Sequence, residues 1–142
     1  MPDSGSFSPG GLEGFARDLI RADLYPSDHH PFRLFACDRC GLGPYRVDVT
    51  EHEGSQRGDF HGVVAGTCRS CGTSETLFSC TREVQIVTGR SQVRCECGGE
   101  WFWVGLLERY EGEEGIPGFF DEGVVAGQCA LCGQNRAIVF TD

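Results

Sequence analysis

Short runs of alternating apolar and polar residues, broken by glycine- and cysteine-bearing turns, predict strands over most of the chain. Tyr45, Val47 and Val49 alternate with polar neighbours up to Glu51, which is a strand pattern. A polar loop from His52 to Asp59 separates it from a return strand over 60–66. A third strand is expected over 75–80, a linker strand over 83–88, and a further short strand over 31–36. Residues 12–24 break the pattern. Leu12, Phe15 and Leu19, with Ala16 and Ala22, fall near helical spacing, so one short amphipathic helix is expected there, ended by Pro26. Residues 1–10 are rich in Ser, Gly and Pro and read as a mobile segment.

The pattern occurs twice. GVVAGTCRSCG runs from Gly62 to Gly72, and GVVAGQCALCG from Gly123 to Gly133. With Cys40 set against Cys97, Tyr45 meets Phe102, Val47 meets Val104, Val49 meets Leu106 and Glu51 meets Glu108 without a gap. The second loop, 111–120, is longer, as hairpin tips tolerate. One strand differs from its copy. Trp101 and Trp103 occupy one face, and Phe102, Val104 and Leu106 the other. A strand of a small sheet ordinarily buries one face. Two apolar faces call for a second packing layer: the other repeat, the N-terminal helix, or another protein docking on Trp101, Trp103, Phe119 and Phe120.

Cysteine spacing supplies the candidate chemistry. Cys37/Cys40, Cys68/Cys71, Cys95/Cys97 and Cys129/Cys132 are close pairs, each followed by glycine. A tight turn delivers two thiolates, a second turn delivers two more, and four thiolates suit the tetrahedral demand of Zn²⁺. Glycine after each pair permits positive φ, which turns backbone N–H groups toward sulfur. Two zinc ions per chain are therefore expected, one per repeat. The Cys95-Glu96-Cys97 pair is one residue shorter than the others, so its geometry is the more constrained. Cysteine at every ligand position leaves no open coordination site, which argues for structural metal and against an enzyme. No HExxH, GxSxG or phosphate-binding glycine loop is present.

The remaining candidates read as structural. Cys80 lacks a pair and is expected to be a small buried side chain, with Thr141 as its counterpart. His29 and His30 lie in a polar turn outside the knuckle pattern, and His61 reads as a surface or hairpin residue with no nucleophile beside it. Glu108, Glu111, Glu113 and Glu114 read as a solvated loop. Nine cysteines cannot all pair, and the first residues lack a charged and apolar leader pattern. Reduced thiols and a cytoplasmic location are the expectation.

Size and charge sharpen this reading. Repeats of this length cannot hold together on apolar burial alone, and a metal staple supplies what the core lacks. The net charge is −9, and all 12 basic residues are arginine. Acidic residues outnumber basic ones in both halves, so the phosphate-neutralising stripe of a nucleic-acid binder is missing. The expected partner is another protein, with a basic surface. Neither direct nucleic-acid binding nor membrane association is expected.

CDRCG (37–41) with CRSCG (68–72), and CECGG (95–99) with CALCGQNRAIVF (129–140), resemble the zinc ribbon family. The resemblance implies a small all-β fold: two tandem, metal-stapled, three-stranded antiparallel ribbons after a short N-terminal helix. It divides the chain into 1–30, an N-terminal segment with the helix; 31–82, the first ribbon; and 83–142, a linker strand and the second ribbon. The implied role is a non-catalytic interaction, scaffold or accessory module. The tandem layout also resembles polymerase subunits related to elongation factor S-II, which implies a transcription accessory role. Asp121-Glu122 stands where that group carries a hairpin acidic pair, without its arginine and serine. The knuckles also resemble rubredoxins, which implies iron and electron transfer. Arg69 and Thr67, however, replace the proline and aromatic residue usual there.

Overall fold

A computed structural model describes residues 7–21, 24, 29–41, 43–56, 58–81, 86–111 and 119–141. Among these residues there are one helix, α1 (Pro9–Leu19), and eight strands. These are β1 (Phe32–Leu34), β2 (Tyr45–His52), β3 (Gly62–Cys68), β4 (Ser74–Cys80), β5 (Val87–Gln92), β6 (Phe102–Glu111), β7 (Phe119–Cys129) and β8 (Asn135–Thr141). Among the described residues no helix is long and apolar enough to cross a membrane.

The helix starts and stops earlier than its apolar spacing suggests. Ser8 caps it by accepting from the Gly11 N–H at 3.2 Å, and Pro9 fits the first turn. This start signal brings Pro9 and Gly10, read above as part of a mobile segment, into the helix. Arg21, at φ 52°, lies just beyond its end, well before Pro26. Burial of Leu12, Ala16 and Ile20 offsets the low helix propensity of three glycines.

All strands join one antiparallel sheet in the order β4-β3-β2-β6-β7-β8, with β5 also pairing with β2 and β1 with β6. The duplication is preserved residue by residue. Gly62 pairs with Cys80 in the first half and Gly123 with Thr141 in the second. Each ladder slips by one residue at the equivalent place, between Val64 and Ala65 and between Val125 and Ala126. The halves meet where Tyr45 pairs with Phe102, two equivalent residues facing each other antiparallel. A pseudo-two-fold relation through that pair follows.

The lead strands are exchanged between the halves. β1 precedes the first knuckle yet pairs with β6 of the second half, Arg33 opposite Leu106. β5 precedes the third cysteine pair yet pairs with β2 of the first half, Ser91 opposite Val49. Val49 and Leu106 are equivalent positions, so the exchange is reciprocal. It explains why the linker strand falls at Val87–Gln92 rather than over 83–88, of which 83–85 lie outside the described residues. Thr-Gly-Arg-Ser-Gln has no apolar alternation of its own. It is extended because β2 offers a free edge.

The sheet folds over one shared core. Tyr45, Val47, Val49, Phe60, Val64 and Leu77 of the first half pack with Phe102, Val104, Leu106, Val125 and Val139 of the second. The far ends meet: the Phe60 N–H donates to the Phe140 carbonyl at 2.8 Å. A second cluster lies on the other face of β6 and β7, where Leu12, Ala16 and Ile20 of α1 cover Leu107, Val124 and Ala126.

Candidate metal centres

Two groups of four thiols can hold a metal ion, one in each half. Cys37, Cys40, Cys68 and Cys71 form the first, and Cys95, Cys97, Cys129 and Cys132 the second. Within each group the sulfurs all lie within 4.8 Å of one another. β1 leads into the first knuckle, and the β3–β4 turn carries the second. β5 and the β7–β8 turn do the same for the other site. All eight cysteines proposed as ligands are thus brought together, four and four, including the short Cys95/Cys97 pair.

Spacing distinguishes these clusters from disulfides. Cys37–Cys71 and Cys95–Cys132 are 3.5 Å apart, and Cys40–Cys68 and Cys97–Cys129 are 3.6 Å apart. A disulfide needs about 2.05 Å. A tetrahedron with metal–sulfur bonds of about 2.3 Å has edges of about 3.8 Å. The donor set therefore fits a tetrahedral ion with small adjustment. Zinc and iron share these bond lengths and this preference for thiolates.

The knuckle turns are built as glycine after cysteine predicts. Gly41, Gly72, Gly98 and Gly133 all have positive φ, between 72° and 92°. In the three Cys-x-x-Cys turns the glycine N–H bonds the first cysteine's carbonyl, as Gly72 does to Cys68 at 2.8 Å. In the short turn Gly98 bonds Cys95 at 2.8 Å, so the loop closes one residue sooner. Gly99 then becomes necessary. A Cβ there would lie 2.7 Å from the Cys129 sulfur and 3.3 Å from that of Cys97. Its N–H reaches Cys97 Sγ at 3.4 Å, and that of Leu131 reaches Cys129 Sγ at 3.4 Å.

The surroundings bias the thiols toward ionisation at some positions and against it at others. The Thr73 side-chain hydroxyl, with the Thr73 backbone, lowers Cys71 from 9.0 to about 6. A backbone hydrogen bond to Cys97 lowers Cys95. At Cys132 the Gln134 backbone also lowers the pKa, but burial and the neighbouring thiols outweigh it and push the group up to about 12. Crowded thiolates repel one another, and a dication between them removes the conflict.

The other candidate residues fall in different places. Trp103 is internal: its ring stacks on Phe7 at 4.8 Å and lies against Gly43. Trp101 lines a hollow of about 320 Å³ beside the knuckles, with Arg69, Gly99 and Leu131, and Leu131 is 53% exposed. The side chains of Phe119, Phe120, Asp121 and Glu111, together with Glu113 and Glu114, lie outside the described residues. Glu122 is held by Arg109 at 2.8 Å. Glu108 belongs to β6 rather than to a loop and accepts from the Tyr110 hydroxyl at 2.9 Å. His29 pairs through its backbone with Tyr110, away from both clusters.

Two residues read as bland differ from expectation. His61 is not on the surface: it is 4% exposed, because Gly62 at φ 154° tucks the chain against the Thr50 carbonyl. Cys80 is half-buried, and its sulfur lies 3.9 Å from His61 Nδ1 and 3.5 Å from Thr141 Oγ1. The signal was present in the strand phase, since the Cys80 and Thr141 ends of β4 and β8 occupy equivalent positions. It needed the folding-over of the sheet to become visible. No family model, characterised protein or solved structure matches the chain.

Proposed function

We propose that the chain is a non-catalytic zinc-binding module of zinc-ribbon type, in which each Cys₄ cluster holds one structural Zn²⁺. The observation that carries this is the pair of tetrathiol clusters with sulfur contacts of 3.5–3.6 Å. Cysteine fills all four positions at each site, so a bound ion has no protein-free position for substrate. The metals staple the knuckles, and the knuckles hold the strands whose side chains form the shared core.

The module serves as a scaffold or accessory subunit that presents a rigid surface to another protein. The hollow between Arg69, Trp101 and the exposed Leu131 is the part of that surface the sites fix most firmly. The net charge of −9 suits a partner with a basic face, and four thiolates around each dication add to it.

Metal analysis and the visible spectrum of the purified chain test this reading together. Two zinc ions per chain and no colour support it. Iron, with sulfur-to-metal charge-transfer bands that bleach reversibly on reduction, overturns it in favour of electron transfer.

A further inference from the structure

The two halves match closely except at the far end of the sheet. In the second half, the buried Arg109 and the half-buried Glu122 form an ion pair at 2.8 Å, and Thr141 on β8 pairs with the next residue, Gly123. The equivalent positions of the first half hold His52, His61 and Cys80. The same location carries an ion pair in one copy and a thiol with two imidazoles in the other.

The first-half group has the geometry of an assisted nucleophile. Cys80 Sγ lies 3.9 Å from His61 Nδ1. On the opposite side of the ring, the buried His61 Nε2 lies 3.3 Å from Asp59 Oδ2, within ion-pair distance but without hydrogen-bond geometry. The Ser55 hydroxyl accepts the His61 backbone N–H at 3.2 Å, fixing the residue that carries the ring. A nucleophile near a base, with a third group orienting that base, is the recurring arrangement of reactive thiols, and it is looser before a reagent arrives. Thr141 Oγ1 lies 3.5 Å from the sulfur and donates to the Phe60 carbonyl at 3.4 Å, so it would have to turn its one hydrogen to reach a thiolate. Cys80 also lies outside both Cys₄ clusters, so no metal protects it.

We propose that Cys80 is a nucleophilic thiol and a site of oxidation by small hydroperoxides, with His61 as its base and Asp59 as the residue that positions the imidazole. The thiol proton moves to His61 Nδ1. The sulfur attacks one peroxide oxygen, an S–O bond forms, and the O–O bond breaks. The departing hydroxide, or alkoxide from an organic hydroperoxide, takes the proton from His61, leaving a sulfenic acid and water or the alcohol. Half-burial of Cys80 favours small reagents over bulky ones. Among the described residues the titratable groups facing it are His61 and, beyond the ring, Asp59 of the hairpin, with His52 of β2 joined to His61 through the backbone. The β8 side contributes the uncharged Thr141.

The test treats the metal-loaded full chain with hydrogen peroxide and, separately, with iodoacetamide across pH of about 5.5 to 8.5. Mass spectrometry of the Cys80 peptide reads the rate, and metal content is measured on the same samples. Cys80 is expected to react at least about tenfold faster at pH 6.5 than an unstructured thiol, and His61→Gln to remove that excess. Asp59→Asn should lower the rate by less. A Cys80 rate that follows an ordinary thiol titration near pH 8.5 overturns the proposal. So does an unchanged rate in a folded His61→Gln. Should His61→Gln lose metal or fold, the wild-type pH profile decides alone. The readout is specific to the Cys80 peptide, so it is independent of which metal the clusters hold.

Discussion

Removing one ligand from either cluster should unfold both halves, because the two sites hold one core. Cys71 and Cys132 are both exposed and occupy equivalent positions, so Cys71→Ser and Cys132→Ser remove a thiolate with little loss of packing. Suppose that only the half losing its metal came apart. Tyr45, Val47, Val49, Phe60, Val64 and Leu77 would then lose their partners in the second half. Full burial of such side chains contributes about 1.5–3 kcal/mol each, or about 9–18 kcal/mol for these six. If half of that comes from the opposite repeat, about 4–9 kcal/mol disappears, comparable with the whole stability of a domain at about 5–15 kcal/mol. The lead-strand pairing of β1 with β6 and β5 with β2 disappears as well. If the clusters hold zinc as proposed, the remaining ion contributes on the order of 10 kcal/mol or more and must order a half that has lost much of its core. Each variant should retain well under one zinc per chain against a competing chelator and lose its β-sheet circular dichroism in one step. A variant that keeps one tightly held zinc and half of its sheet signal would refute the coupling and show two independent ribbons.

Three other outcomes follow from named contacts. Gly105→Ala places a methyl group into the Phe32 ring and should cost about 1–3 kcal/mol by chemical denaturation, with Phe32→Ala added to the same chain recovering part of the loss. In acid, metal should leave as protons compete for the thiolates. In the metal-free fold the Thr73 hydroxyl and backbone lower Cys71 from 9.0 to about 6, so the stability this thiolate adds is complete above its unfolded value and is lost as the pH falls through about 6. A chromogenic chelator should report both ions leaving in a single step. Phe7→Ala removes the ring stacked on Trp103 at 4.8 Å and should cost about 0.5–1.5 kcal/mol, with a red shift of tryptophan emission as water reaches the indole. An unchanged spectrum would place Trp103 elsewhere.

Much of the site was legible because its chemistry is local. The pairs, their glycines and the repeat GVVAG-x-C fix which thiols meet, and every knuckle glycine takes the positive φ that its place after cysteine demands. Strand edges were legible where side chains alternate, as from Tyr45 to Glu51, though His52, read as the first residue of a loop, closes the strand. The lead strands were harder, because their pairing is non-local. Nothing in Arg33 or Ser91 announces that each crosses to the other repeat, since a strand that borrows a free edge needs only backbone donors and acceptors. The Cys80–Thr141 contact was invisible for a related reason. β4 and β8 are the extreme strands of the sheet and meet only after it has folded over. Cys80 and His61, by contrast, face each other across one hairpin, where Cys80 pairs with Gly62.

The unequal faces of β2 and β6 show how the duplication was resolved into one molecule. Trp103, Gly105 and Leu107 on one face of β6 correspond to Arg46, Asp48 and Thr50 on β2, while the opposite faces, Phe102, Val104 and Leu106 against Tyr45, Val47 and Val49, are apolar in both. The common apolar faces build the shared core, so neither repeat can dispense with the other. The differing faces have only one helix between them. α1 lies on β6, β7 and β8, where Leu107 is fully buried and Phe7 reaches Trp103. No second helix covers the corresponding face of β2 among the described residues, and there the side chains are polar or half-buried. An exposed apolar face on β2 would invite association, whereas a polar face on β6 would leave α1 nothing to pack against. The two apolar faces of β6 are therefore an intramolecular requirement. That gives Trp103, half-buried against Phe7, and the fully buried Leu107 a packing role on the α1 side of the sheet.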